Sequence, residues 1–398
     1  MNGRLWAVVT AIGAVIIFLA AGTNTGTAAQ PDTTSANAAI SYVKAHQNPD
    51  GGFPAFGTDS APGATLDAIF AIVAANGDPA SVKTGGNSPI EYLETQASGV
   101  SGDPGAVAKL TLGLAVSGID PAAFGGQNLF NVMASSYNPT TGAYGVDLFD
   151  EALYTLALSA AGQPVPNGVL SHLKSVQLQN GSWEFSAGFG GDTNTTALVI
   201  QALVGAGTPP SDSSVRDGLA YLATAQNSDG GFGFAPGSES DASSMAFVMQ
   251  ALIAAGEDID AGGPWASKAV LPLEALISHQ NPATGAFQFG GEDSIFSTYQ
   301  AVPGVMLAPF PNLETMPDGA QSPSPTATPA ISPSPTPAAT SPAPSPLAAV
   351  AAPIQPAQLP ASGGQVEQRH TGTTFLYLAV AIELATVGVA GLRLWRRR

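Results

Sequence analysis

The sequence predicts an all-α protein, an (α/α)6 toroid in which six helical hairpins close into a ring. Three observations carry that prediction. A short phrase of Gln, a tight turn, Gly and an aromatic keeps returning along the chain. Each copy lies between a more polar and a more apolar helical stretch. In four of the apolar stretches an Asp precedes a Gly by 15 residues. Repetition at this period marks an array of similar units before any single residue is weighed.

The phrase reads QNPDGGF at 47–53, QLQNGSW at 177–183 and QNSDGGF at 226–232, with looser copies YNPTTGAY at 137–144 and QNPATGAF at 280–287. A sixth, eroded copy starts at Gln96. Gly51, Gly181 and Gly230 let the chain turn tightly, and Phe53, Trp183 and Phe232 fold back to staple the two helices. Gln47, Gln177 and Gln226 are expected to hydrogen-bond carbonyls left open at the end of the first helix.

The second helix of each pair is more apolar, as expected for helices lining the inside of a ring. Asp103 precedes Gly118, Asp147 precedes Gly162, Asp192 precedes Gly207 and Asp241 precedes Gly256, each by 15 residues. Asp is a good N-cap and Gly suits the left-handed position past a helix end, so four helices of equal length, about 22 Å, are capped alike. The first repeat places Pro62 in the matching slot ahead of Gly77, and the last is offset, with Glu292 and Asp293.

Outside the repeats, 1–29 reads as an export signal: one early cation, Arg4, then an apolar run and small residues. The toroid domain spans 35–313. Residues 314–361 are rich in Pro, Ser, Thr and Ala and read as a disordered, extended spacer. Within 359–398 an apolar span at 375–395 is long enough to cross a bilayer and ends in three arginines, which favours a cytoplasmic C-terminus. Leu359, Pro360, Ser362 and Gly363 precede it, and this order resembles a Gram-positive-type cell-wall sorting signal of the LPxTG kind, with Ser362 at the usual Thr. The expectation is an exported, surface-displayed domain, held by one transmembrane helix or covalently by the cell wall.

The chain has no cysteine, which excludes disulfides, thiolate nucleophiles and Cys-ligated zinc. Residues 31–316 hold six Lys and Arg against 26 Asp and Glu. Such a domain repels nucleic acid and suits cations or neutral ligands.

The turn phrases resemble the repeats of the squalene cyclase and prenyltransferase superfamily: Gln177, Gly181 and Trp183 match its Gln-Trp motif, and 47–53 and 226–232 match with Phe. The resemblance covers about residues 35–310 and implies the toroid. It is less specific for activity, because the same fold serves protein prenyltransferases and corrinoid-binding transport proteins. Squalene cyclases hold a protonated acid in an Asp-x-Asp-Asp-Thr-Ala motif. The counterpart here is Asp192-Thr193-Asn194-Thr195-Thr196-Ala197, with Asn194 in the proton donor's place. Those cyclases line the cavity with aromatics, yet this domain has only Trp183 and Trp265 as tryptophans. The zinc of the prenyltransferases needs a Cys that is absent.

The remaining candidates are each set against a plain structural role. Asp103, Asp147, Asp192 and Asp241 should gather at one mouth of the ring, as N-caps or as an acidic rim for a cation or polar ligand. A carboxylate pair among them would suit glycan cleavage, though no pair stands out. His46 and His279 precede the Gln of the first and last copies, which ring closure would make neighbours, as surface residues or as a metal or pH-sensing pair. The turns at 48–51 and 227–230 lack full calcium-loop spacing. No cofactor is predicted, and a corrinoid or a divalent cation is the class left open. The residues favour a non-catalytic toroid binding a small molecule or surface partner in its cavity or acidic mouth. The alternatives are an extracellular enzyme of terpenoid-cyclase, prenyltransferase-like or carbohydrate-active type, and a structural or adhesion module.

Overall fold

A computed structural model describes residues 29–313, apart from positions 267 and 269. The stretch read as an export signal, up to residue 28, the stretch read as a spacer, Leu359, Pro360, Ser362, Gly363 and the apolar span at 375–395 lie outside the described residues. Within them, no helix is long and apolar enough to cross a membrane.

Caps decide where the inner helices begin. Each starts where an extended residue turns its side chain onto the first free N–H groups. Asp103 Oδ1 accepts from Ala106, Asp147 from Asp150, Asp192 from Thr195 and Asp241 from Ser244, at 2.7–3.1 Å. The helices they start are α4 (Pro104–Val116), α6 (Leu148–Ala160), α8 (Thr193–Gly205) and α10 (Ala242–Ala254). Gly118, Gly162, Gly207 and Gly256 take the expected positive φ past their ends. The first and last repeats correct the sequence reading. The slot ahead of α2 (Pro62–Ala74) is Ala61, with Pro62 as first helical residue, and the left-handed residue is Asn76, not Gly77. Ser294, not Glu292 or Asp293, caps α12 (Ile295–Val305).

These six helices touch one another in the order α2, α4, α6, α8, α10, α12 and back to α2, a closed ring. Outside them run α1 (Thr33–Ala45), α3 (Pro89–Val100), α5 (Leu129–Ala134), α7 (Asn167–Ser175), α9 (Ser213–Thr224) and α11 (Pro272–Ser278), giving the six hairpins expected. The inner helices are buried almost all round while the outer ones bury one stripe, which is why their compositions differ.

The turn phrase fastens one repeat to the next. Gln177 Nε2 donates to Gly181 O in its own turn and to Ser214 O at the start of α9, at 2.8 and 2.9 Å. Gln47 reaches Val82 O, Gln226 reaches Trp265 O, and Gln280 closes the ring on Ser35 O. The expected capping of the first helix's own end is therefore replaced by a bridge between hairpins. The Gly is required twice over: Gly181 has φ +86°, and a Cβ there would overlap Asp217 O of the next outer helix. The same overlap arises from Gly51 onto Ser88 O, Gly230 onto Val270 O and Gly285 onto Ala38 O. The aromatics are buried as expected. Phe53, Trp183, Phe232 and Phe287 are fully inaccessible, and the N–H of Phe53, Trp183 and Phe287 donates to Thr65, Thr196 and Thr298. Gln96 is not a turn residue. It lies within α3, and α3 is joined to α4 by a three-residue turn, 101–103, with no turn phrase.

The loops after Trp183 and Phe232 lean over the preceding inner helix. Phe185 O accepts from Leu148 N–H and Phe234 O from Thr193 N–H, so the loops of repeats four and five satisfy the first residues of α6 and α8. Repeat two has no such loop and repeat three only a short one. The inner helices they would cover, α2 and α4, start with Pro62 and Pro104, which have no N–H to satisfy.

Trp183→Ala should cost about 4 kcal/mol, as for other fully buried large aromatics. Gly181→Ala should cost about 2–3 kcal/mol through the left-handed backbone and the overlap with Asp217. Urea unfolding checks both, and a loss below about 0.5 kcal/mol for Gly181→Ala would show that the hairpins can part without penalty.

Candidate functional site

The face carrying the inner-helix N-termini is the mouth, and its depth is set by which residues face the axis. Phe247, six residues past its cap, touches Phe149, two past its cap, at 6.1 Å between ring centroids, although α8 lies between their helices in the ring. Positions two and six past the cap therefore face the axis. Leu153 and Leu198, six past their caps like Phe247, are 3% and 1% exposed, so the ring is already closed on their side at that level. At the far end the chain leaving α12 turns inward as a plug. Gln250 Nε2 donates to Ala308 O, the N–H of Phe310 donates to Gln201 Oε1, and Phe310 packs edge-on against Phe70 at 4.9 Å. Phe70 on α2 and Gln201 on α8 stand on opposite sides of the ring, so the plug crosses the axis.

What stays accessible is the rim. Phe149, Phe185, Phe189, Phe234 and Phe247 form a chain of ring contacts at 6.1–6.4 Å. Phe56 pairs with Phe296 at 5.5 Å. Phe189 and Phe56 are 50% and 44% exposed, and Val146 is 83% exposed.

Beside this crown stand the carboxyls. Burial pushes Asp192 up to about 6 and Asp147 up to about 6, the Asp103 charge adding to the latter. Asp150, one turn into α6, goes further, to about 8, through burial first and the Asp147 charge second. Its Oδ2 accepts from Val146 N–H, and Gly105 of α4 leaves the space its Oδ1 fills. Asp241 is also raised by burial. The four in-register Asp residues thus cap helices at one mouth, as the sequence suggested. The Asp103 charge reaches Asp147, while Asp192 is 1% exposed and turned into the protein.

Several residues escaped the sequence reading. Asp150 and Glu151 follow Asp147 in a DLFDEA string whose first-turn carboxyls were the available signal. Glu151 holds the outer helix, accepting from His172 Nδ1 at 2.9 Å and from Tyr144 N–H. Asp67 and Lys109, each six past its cap, form a buried ion pair at 2.7 Å. The sequence reading counted only the two tryptophans, whereas the rings at the mouth are phenylalanines. His46 and His279 are not brought together: His46 lies on Tyr42 and bonds its carbonyl, while His279 senses Asp229 of the preceding repeat. In the turns at 48–51 and 227–230, Asp50 and Asp229 each hold a loop N–H and a serine hydroxyl, so these are hydrogen-bonded turns. Among the described residues no group of three or more His, Asp or Glu is placed to hold a metal ion. A corrinoid would have to sit on the mouth, since the axis below is occupied.

Folded Asp150 keeps its proton to about 8, whereas the unfolded group releases it near 3.8. The native state then binds more protons across that window, and stability falls as pH rises through it. In urea titrations at about pH 4 and about pH 8, Asp150→Asn should lose less stability between the two than wild type does. Equal losses would mean that Asp150 ionises as freely folded as unfolded.

The prenyltransferase alpha-alpha toroid domain family model matches residues 5–95 and 150–288. Among solved structures, the type II terpene cyclase MstE from Scytonema is similar at TM-score 0.50 and 14% identity, over 69% of this chain and 97% of that one. A protein from Actinoplanes gives TM-score 0.49 at 12% identity, over 69% and 98%. Candida albicans protein geranylgeranyltransferase-I gives 0.45 at 11%, over 68% and 90%. No curated protein matches the chain. The likeness to MstE is one of fold, and the family match, over more than half of the chain, agrees with the ring of hairpins and the Gln–Gly–aromatic bridges: this chain belongs to the prenyltransferase alpha-alpha toroid family.

Proposed function

We propose that this domain is a binding module that takes a cationic partner with an apolar body on the aromatic, acidic mouth of the toroid. The filled axis carries this reading. A drug-sized ligand pocket needs roughly 300–1,000 Å³. Here Leu153, Leu198, Phe70 and Phe310 are each at most 7% exposed, while Phe56 and Phe189 at the mouth are open. Phenylalanine faces attract cations, and the acidic surroundings favour them further. The export signal and C-terminal apolar span of the sequence support display of this mouth at the cell surface, on a membrane helix or the cell wall.

Tetraphenylphosphonium and tetraphenylborate share a shape and differ in sign of charge, which makes them suitable probes. Calorimetric titration should find the cation bound at least about tenfold more tightly, and Phe189→Ala should weaken it about threefold or more. Equal affinity for the two ions, or no effect of Phe189→Ala, would remove the mouth from the proposal.

A second reading, acid catalysis on an isoprenoid-like substrate, is favoured by one observation: Asp150 stays protonated at neutral pH beside the aromatic crown. Incubating the protein with geranylgeranyl dihydroxybenzoate, the substrate named for MstE, tests it. Product formation lost in Asp150→Asn would support catalysis, and an unchanged substrate would leave binding as the function.

A further inference from the structure

Four loops rise round the mouth, leading into α2, α8, α10 and α12. They read PAFGTDS at 54–60, EFSAGFGG at 184–191, GFAPGSES at 233–240 and QFGGED at 288–293. Each holds at least one phenylalanine and one carboxylate, and none holds Lys or Arg. Repeat two has only the 101–103 turn, and repeat three only the short stretch from Tyr144 to Val146, where Tyr144 bonds Pro104 O at the start of α4. The rim is therefore a horseshoe, low on the side of α2 and α4.

Its two most exposed rings stand on opposite sides. Phe189 reaches Phe149 at the start of α6 by way of Phe185, whereas Phe56 lies on Phe296 of α12. In the ring order α6 and α12 are three steps apart, hence opposite. Inner helices packed about 8–10 Å apart put opposite members of six about 16–20 Å apart. Glu184 steadies one of these posts, its Oε2 accepting from Gly190 N–H at 3.0 Å. Asp59, Glu239 and Glu292 are exposed, and the Lys and Arg ion pairs of the described residues all lie with other carboxylates: Glu91, Asp67, Asp212 and Glu257. The rim charges are left for a partner to meet.

We propose that the mouth docks a basic amphipathic helix of a partner polypeptide, laid from Phe56 to Phe189. At 1.5 Å per residue the span needs about 11–13 residues. The apolar stripe of the helix lies on the phenylalanines, and its Lys and Arg side chains meet Asp59, Glu239 and Glu292. This inference rests on the cation-binding reading of the mouth and names the partner. A small lipophilic cation touches one side of a rim this wide, whereas carboxylates on opposite sides of it suit several cations on one rigid body. The plugged axis makes a floor rather than a pocket, which a helix lying across can cover. The low rim over α2 and α4 leaves the approach open. A second copy of this chain would bring the same acidic rim, and like charges repel.

The probes are three labelled peptides of about 13 residues. One is built of Lys and Leu at amphipathic helical spacing, one has Glu in place of its Lys, and one is a shuffled Lys/Leu peptide with no apolar face. Fluorescence anisotropy on the full chain should find the first bound about tenfold or more tightly than either other. Asp59→Asn/Glu239→Gln/Glu292→Gln should weaken it about tenfold. Phe56→Ala, across the mouth from Phe189, should weaken it about threefold or more. Equal binding of the first and shuffled peptides, or no effect of the triple variant or of Phe56→Ala, overturns the docked helix. Tetraphenylphosphonium bound without the Lys/Leu peptide also overturns it and leaves the cation-binding reading standing, while binding of neither overturns both. Circular dichroism distinguishes a lost surface from a lost fold.

Discussion

The ring stands on a close approach of backbone to backbone. At Gly51, Gly181, Gly230 and Gly285 the turn of one hairpin passes so near the outer helix of the next that no side chain fits between them. The paired amide of Gln47, Gln177, Gln226 or Gln280 then joins a carbonyl on each side. A buried amide bonded twice fixes both distance and angle, and each hairpin's angle is inherited by the next. Four of the six steps round the ring carry this bridge. The last of them, from Gln280 to Ser35, joins residues 245 apart in the chain. Everything at the mouth is placed by that geometry, because inner-helix N-termini stand level only when the hairpins are stacked at one pitch.

Much of this was legible in the sequence because it is local. An Asp that caps a helix and a Gly that ends it lie on one helix, so their spacing survives as a pattern of 15. The aromatic staple and the tight turn are equally local. The misreadings fall where partners come from elsewhere in the chain. From the sequence Gln is expected to serve its own helix, since nothing in the string QNPDGGF shows that Val82 O is within reach. The shift from Pro62 and Gly77 to Ala61 and Asn76 is one residue, the size of error expected where a proline follows an unhelpful cap.

The mouth was less legible for the same reason. Phe149, Phe185, Phe189, Phe234 and Phe247 span nearly a hundred positions of chain and meet only because three repeats converge there. The carboxyl of Asp150 owes its proton to burial and to Asp147, neither of which the string DLFDEA reveals. The plug is stranger to sequence reasoning. Residues 306–313 carry no motif, yet Gln201 and Gln250 hold their backbone across the axis.

The prolines that open α2 and α4 couple loop length to the first residue of a neighbouring helix. A helix whose first N–H is met by a loop carbonyl, as at Leu148 and Thr193, becomes dependent on that loop. A helix that begins with proline has no such debt, so the loop above it is free to shrink, vanish or be rebuilt. For protein engineering, the gap above Pro62 is thus the place in the ring where a foreign loop can be grafted without orphaning a backbone donor. Shortening the loops over α6 or α8 would first require a proline at position 148 or 193.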